Sequence, residues 1–293
     1  MSQSTAATAA APNSDPKPDN NNRLYDPALP RDGTLLQQTL RPAPDAIALC
    51  TPHIPPSITT EPIIDVGLSL PNPNDVLLII PTANASKTAL FTSHLAATRP
   101  SHITSLTHLQ IPAESGVGEQ PYDSAGPRGA FNRVLGAVSA LQVDPAHREA
   151  LLKVRPGTVI VGAVENFVRR ERGADGVVVP VDYGVVVMCR MSLASREPGP
   201  WEWRVGVSQG VTVPVEYWRA AEAFGFEDEA GTHGKVTVGE VIEANVEGVD
   251  SGNWFESLTA ARVSRYDLLR GAMEGMEVPW PVATGADAPA VVV

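Results

Sequence analysis

Residues 75–96 read DVLLIIPTANASKTALFTSHLA, and this stretch decides the fold class. Val76 to Ile80 is an unbroken apolar run of strand length with no polar alternation, the pattern of a strand buried on both faces. Strands of that kind belong to parallel or mixed sheets. A polar turn over 81–86 follows. Leu90, Phe91 and Leu95 then fall on one face of a helix over 87–96. The spacing therefore predicts a strand–loop–helix unit opening an α/β fold.

Downstream the same pattern continues. A second strand is expected near 106–111. Phe131, Val134, Leu135, Val138 and Leu141 predict a helix over 127–143 that starts at a proline suited to a first turn. The β-branched stretches 158–164, 177–181, 183–191 and 203–213 are separated by Gly, Pro and Asp, so they read as successive strands, partly antiparallel. Helices are expected again over 215–223, 239–246 and 263–276. The sum is an α/β protein, a long mixed sheet flanked by helices, with the folded domain spanning 75–278. Upstream, residues 1–33 are Ala, Ser, Pro, Asn and Asp with hardly a large apolar side chain, and read as a disordered tail. Prolines break every apolar piece of 34–74, which reads as an extended lead-in wrapping the domain. Residues 279–293 read as a loose C-terminal tail.

Composition excludes several function classes. With 22 Lys and Arg against 33 Asp and Glu the net charge is −11, which repels a phosphate backbone, so no nucleic-acid partner is expected. Two cysteines cannot build a disulfide framework or a thiolate metal site. No apolar run reaches membrane-spanning length, and the first residues lack the basic and apolar regions of a secretory signal. A cytoplasmic location is expected.

Three features carry candidate chemistry. Thr82-x-Asn84-x-x-Lys87 lies between a buried strand and a helix N-terminus. Backbone N–H groups, the helix dipole and these side chains could together hold a phosphate there. The plainer reading is that Thr82 or Asn84 caps the helix while Lys87 is a solvated charge, and both readings stand. The glycine-rich loop over 114–129 carries Glu114, Glu119 and Asp123, carboxylates able to hold Mg²⁺ with waters retained; by itself it is a polar loop. Glu165 ends the apolar run Val159 to Val164, where a carboxylate can reach a metal or activate a water, or simply face solvent. The tryptophans at 201, 203, 218 and 254 read as packing residues rather than base platforms.

Taken in order, these pieces resemble the inosine/xanthosine triphosphatases, which act on non-standard purine nucleoside triphosphates. Thr82, Asn84 and Lys87 match that family's [ST]-x-N-x-x-K loop. Glu114-Ser115-Gly116-Val117, Gln120-Pro121, Gly129-Ala130 and Asn132-Arg133 match its E-S-G-V-x-x-Q-P stretch and G-A-x-N-R helix. The resemblance covers about 75–276. It implies phosphate binding by Thr82, Asn84 and Lys87, substrate contacts by Gln120 and Arg265, catalysis by Glu165, Mg²⁺ held by Glu165 and Asp123, and a homodimer.

Two departures stand out. Where the family has an acidic pair before the G-A-x-N-R helix, this chain has Ser124-Ala125-Gly126-Pro127, and the glycines after the glutamate are here Asn166-Phe167. With 164–167, 212–215 and 236–241, these positions resemble more closely the C-terminal domain of the proline-rich coiled-coil-containing proteins, a branch that the resemblance implies to be regulatory. Two functions follow as expectations: Mg²⁺-dependent hydrolysis of a purine nucleotide, or a degenerate adaptor whose Pro-rich segments engage protein partners.

Overall fold

The computed structural model describes residues 21–31, 38–55, 71–173, 175–194 and 201–283. A short helix α1 (Asn21–Leu24) and a two-residue strand β1 (Leu40–Arg41) precede α2 (Ala46–Cys50), whose N-cap Asp45 accepts the N–H groups of Ile47 and Ala48. The expected opening unit then appears as β2 (Asp75–Ile80) and α3 (Ala85–Thr98), followed by β3 (Ser105–Gln110) and the short β4 (Gln120–Pro121). Next come α4 (Ala125–Val143), α5 (Pro145–Val154), β5 (Thr158–Arg172), β6 (Val178–Ser192), β7 (Glu202–Val207) and β8 (Gly210–Thr212). The chain continues through α6 (Val215–Ala223), β9 (His233–Gly234), α7 (Val238–Asn245), α8 (Trp254–Leu258) and α9 (Arg265–Glu274).

Seven strands form one mixed sheet, in the order β1-β8-β6-β5-β2-β3 with β7 also on β6. β2 runs parallel to both β3 and β5, whereas β5 and β6 are antiparallel along their whole length. The fold class is thus α/β with a mixed sheet flanked by helices. Alternation along β2 shows why its run is wholly apolar. Val76, Leu78 and Ile80 pack with Leu90, Phe91 and Leu95 of α3, while Leu77 and Ile79 pack with Phe131, Val134 and Val138 of α4. A third cluster joins Val211 and Val213 to α6, α7 and α8.

Four differences between the sequence reading and the structure have a local reason; α2 and α8 were likewise not expected. The expected strands over 177–181 and 183–191 are one strand, because Asp182 continues the ladder opposite Val168 instead of breaking it. The run over 203–213 divides into β7 and β8 at Ser208, whose N–H still bonds the Gly184 carbonyl (2.8 Å) while its hydroxyl, not its carbonyl, accepts the Gly184 N–H (2.8 Å) and donates to the Gln209 carbonyl (2.7 Å). No element was expected over 145–154, yet Asp144 caps α5 and Pro145 opens it. Glu165 sits in mid-strand rather than at a strand end, since β5 keeps pairing with β6 as far as Arg172.

Parts of both expected tails lie against the domain. Leu24 is buried, and Asn245 of α7 grips the segment: its Nδ2 donates to the Leu24 carbonyl (2.8 Å) and its Oδ1 accepts the Asp26 N–H (2.8 Å). Tyr217 Oη donates to the Pro30 carbonyl at 2.6 Å. In the lead-in, β1 pairs with β8 along the sheet edge. At the other end, His102 Nε2 lies 2.8 Å from the Pro281 carbonyl. The remainder of the expected tails, 1–20, 32–33 and 284–293, and residues 34–37 and 56–70 of the lead-in lie outside the described residues. Removing residues 1–31, or changing Asn245→Ala, should lower stability by ~1–3 kcal/mol, the cost of stripping hydrogen bonds from buried polar groups. Urea unfolding measures it, and an unchanged midpoint after the truncation would show that the segment does not dock.

Candidate functional site

The site lies where the parallel strands end. β2 connects through α3 to β3 on one side, and the chain returns past α4 and α5 to β5 on the other. The carboxyl ends of β2 and β5 thus form the kind of crevice in which open α/β sheets bind ligands. Pairing of β5 with β2 stops at Val161, and Glu165 stands four residues beyond.

The turn after β2 is held by its own side chains. Thr82 Oγ1 accepts the Asn84 N–H (3.1 Å), and Asn84 caps α3 by accepting the Lys87 N–H (2.9 Å). The plainer reading therefore describes Thr82 and Asn84 well, but it does not describe Lys87. That side chain lines a narrow cleft with Pro81, Thr82, Phe91, Arg133, Gly162 and Val164. It forms no hydrogen bond or ion pair among the described residues. Burial pushes its ammonium pKa down; the Glu165 carboxylate opposes this, while Arg133 and Arg265 reinforce it.

Around Lys87 two ion pairs close the site. Arg133 Nε lies 2.7 Å from Glu165 Oε2, and Arg133 Nη1 donates to the Ala113 carbonyl at 2.6 Å. Its neighbour Asn132 donates to the Ser115 carbonyl at 2.6 Å. Gly129 completes the fit, because a Cβ there would come within 2.6 Å of Val117 Cγ2. The two quoted motif pieces, 114–117 and 129–133, are thus one packed unit. On the far side, Arg265 Nη2 lies 3.5 Å from Asp182 Oδ2. Asp182 is only 2% exposed, its Oδ1 and Arg265 Nε are both buried without a partner among the described residues, and Arg265 stacks over Phe255. Burial raises the Asp182 pKa to about 6, against the opposing pull of Arg265 and a hydrogen bond from Asn166.

Other expected residues lie in different surroundings. Gln120 is buried and its Oε1 accepts the Val238 N–H (3.1 Å), so it fastens β4 to the start of α7 and is absent from the lining of the Lys87 cleft. Asp123, in the left-handed region at φ 50°, receives Arg170 at two points: the backbone N–H (2.8 Å) and the guanidinium (Nη2 at 2.7 Å). Glu119 is exposed. Ser124-Ala125-Gly126-Pro127 forms the start of α4, and a Cβ on Gly126 would overlap the Phe167 ring. An acidic side chain at 126 therefore requires Phe167 to move.

Glu165 and Asp123 are each engaged by an arginine, and no three His, Cys, Asp or Glu come together among the described residues. Three contributors escaped the sequence reading: Arg133 as the partner of Glu165, Asp182, and Arg170. Only Asp182 left a trace, as the lone acid within an apolar run.

No protein-family model matches the chain, and no curated protein matches it. Among solved structures, that of protein VC0702 from Vibrio cholerae matches over 68% of this chain and 91% of its own, with 16% identity and a TM-score of 0.42. No helix among the described residues is long and apolar enough to cross a membrane.

The Asp182 carboxyl gives a pH signature. Its folded pKa, about 6, exceeds the unfolded value near 3.9, so the folded state binds the extra proton between them. That contribution to stability is complete below about pH 4 and is lost as pH rises through about 6. Asp182→Asn should therefore gain ~2–3 kcal/mol on the wild type between pH 4 and pH 7. Urea unfolding at both pH values decides; parallel profiles would count against the buried carboxyl.

Proposed function

We propose that the chain binds the phosphates of a purine nucleoside triphosphate at the cluster formed by Lys87, Arg133 and Arg265. One observation carries this reading: the Lys87 ammonium is partly desolvated at a helix N-terminus and has no bonded counter-charge among the described residues. A buried cation of that kind is costly alone and is stabilised by an anion. The two flanking arginines already have carboxylate partners, leaving the cluster one positive charge in excess when Glu165 and Asp182 are ionised. The nucleotide class comes from the resemblance of the 82–87, 114–121 and 129–133 motifs to the inosine/xanthosine triphosphatases.

Binding without turnover is the form of this reading that the side chains favour. Glu165 is committed to Arg133, Asp123 to Arg170, and Phe167 fills the space against Gly126. That supports the regulatory branch of the resemblance, the adaptor, over the hydrolase. Any Mg²⁺ would arrive on the triphosphate. The cytoplasmic location, the homodimer and partners for the Pro-rich segments belong to the same proposal.

Calorimetry with inosine, xanthosine and adenosine triphosphates tests it. Binding should occur in the presence of a chelator and weaken by ~1–3 kcal/mol on Lys87→Ala, the range for a charge-assisted hydrogen bond. Affinity should fall as pH rises through the depressed Lys87 pKa, because the ammonium loses its charge. Unchanged affinity in the folded variant would sink the site. Robust Mg²⁺-dependent release of phosphate or diphosphate by the unmodified protein would restore the hydrolase.

A further inference from the structure

The opposite end of α3 borders a much larger cavity, about 750 Å³, within the range of about 300–1,000 Å³ typical of small-molecule sites. Lys87 lies in the first turn of α3, whereas His94, Ala97 and Thr98 line the cavity from its last turns. The helix is roughly 20 Å long at about 1.5 Å per residue, so the two sites are separate. The cavity floor is the β6–β7 ladder, where Arg190 stands opposite Glu202 and Arg204 follows two residues on. Met276, Val278, Pro279 and Trp280 supply an apolar wall.

Among the described residues, the buried side-chain atoms here without a partner are nitrogens. Glu202 accepts one N–H from Arg190 and one from Arg204, and Arg204 gives another to the Trp203 carbonyl. Each guanidinium has five donors and no acceptor, so among the described residues most of them find no protein partner. Both guanidiniums thus share the Glu202 carboxylate, while Glu274 and Glu277 are the other two acids of the lining. Trp280 Nε1, a donor only, is buried with no acceptor, and His94 Nε2 is buried with no partner. Glu274 and Glu277 also border the cavity but are exposed, where solvent and salt screen them. The C-terminal turn of α3 carries partial negative charge, which directs an anionic headgroup away from the helix end and onto the arginines.

We propose that this cavity is a second binding site, for a carboxylic acid with an apolar, ring-bearing body: the carboxylate on Arg190 and Arg204, the body against Trp280 and Met276. A carboxylate suits the paired fork geometry of arginine. The ligand is distinct from the nucleotide proposed for Lys87, and neither proposal depends on the other.

The test uses the full chain with ¹⁵N-labelled tryptophan, the Trp280 indole resonance being identified by Trp280→Phe. The probes are 4-phenylbutyrate, 4-phenylbutylamine and 4-phenylbutyl phosphate. The acid should shift the Trp280 signal to saturation, at a Kd of about a millimolar or better. Arg190→Gln and Arg204→Gln should each weaken it by roughly tenfold or more, as expected for charge-assisted hydrogen bonds. Glu202→Gln removes the competing carboxylate and should tighten binding severalfold, a change of sign that loss of structure would not produce. Absence of a saturable shift, equal or tighter binding of the amine, tighter binding of the phosphate monoester, or weaker binding to Glu202→Gln would each overturn the proposal.

Discussion

The Arg133 guanidinium joins the parts of this molecule that the site depends on. One edge holds Glu165 on β5 and one terminal N–H holds the Ala113 carbonyl, so a single side chain from α4 ties the sheet to the loop that follows β3. Neither partner is a free choice. Glu165 is 8% exposed, and an ionised carboxylate at that depth requires a counter-charge within hydrogen-bond reach. Removing one member of such a pair leaves the other buried and unpaired, which costs about 3–5 kcal/mol where measured. The pair therefore fixes the loop over 113–117 as firmly as apolar packing does. Gly129 and Asn132 then let the loop come close enough for the bonds to form.

This tie also governs the electrostatics of Lys87. Desolvation is the leading influence on its ammonium, followed by an attractive Glu165 and then by the repulsive Arg133 and Arg265. A second pair, Arg265 with Asp182, adds a further guanidinium and a carboxyl whose pKa burial raises to about 6. Three cationic side chains thus stand with two carboxyls here, in a chain whose net charge is −11. Screening limits the reach of that net charge to about 10 Å at ordinary ionic strength.

What could be read from the sequence follows from the range of each interaction. β2 and α3 were legible because a fully apolar run and a helical spacing are local signals, and α4 was legible for the same reason. The length of β5 was not: beyond Val164 come Glu165, Asn166 and the charged run 169–172, which continue as strand only because β6 pairs with each of them. The docking of residues 21–31 left no periodicity to detect, since it rests on one buried leucine and on backbone groups bonded to Asn245 more than two hundred positions away. In the site, the Thr82–Lys87 turn was found as a motif, but the fate of each side chain was not. Asn84 does the capping work its residue type predicts, whereas the partnering of Asp182 with Arg265 spans 83 positions and leaves no local mark.

The same reasoning applies to the two carboxylates of the site. A carboxylate can orient a water or a metal only when its lone pairs are available. Glu165 gives one oxygen to Arg133 at 2.7 Å and the other to the Asn166 N–H at 3.3 Å. Were Arg133 to swing away from Glu165, the Ala113 carbonyl would lose its donor in the same motion, and the loop over 113–117 would loosen. Asp123 is likewise held, by an Arg170 guanidinium that also donates to Glu222 and to the Gly231 carbonyl. Each carboxylate is thus part of the scaffold that shapes the cleft.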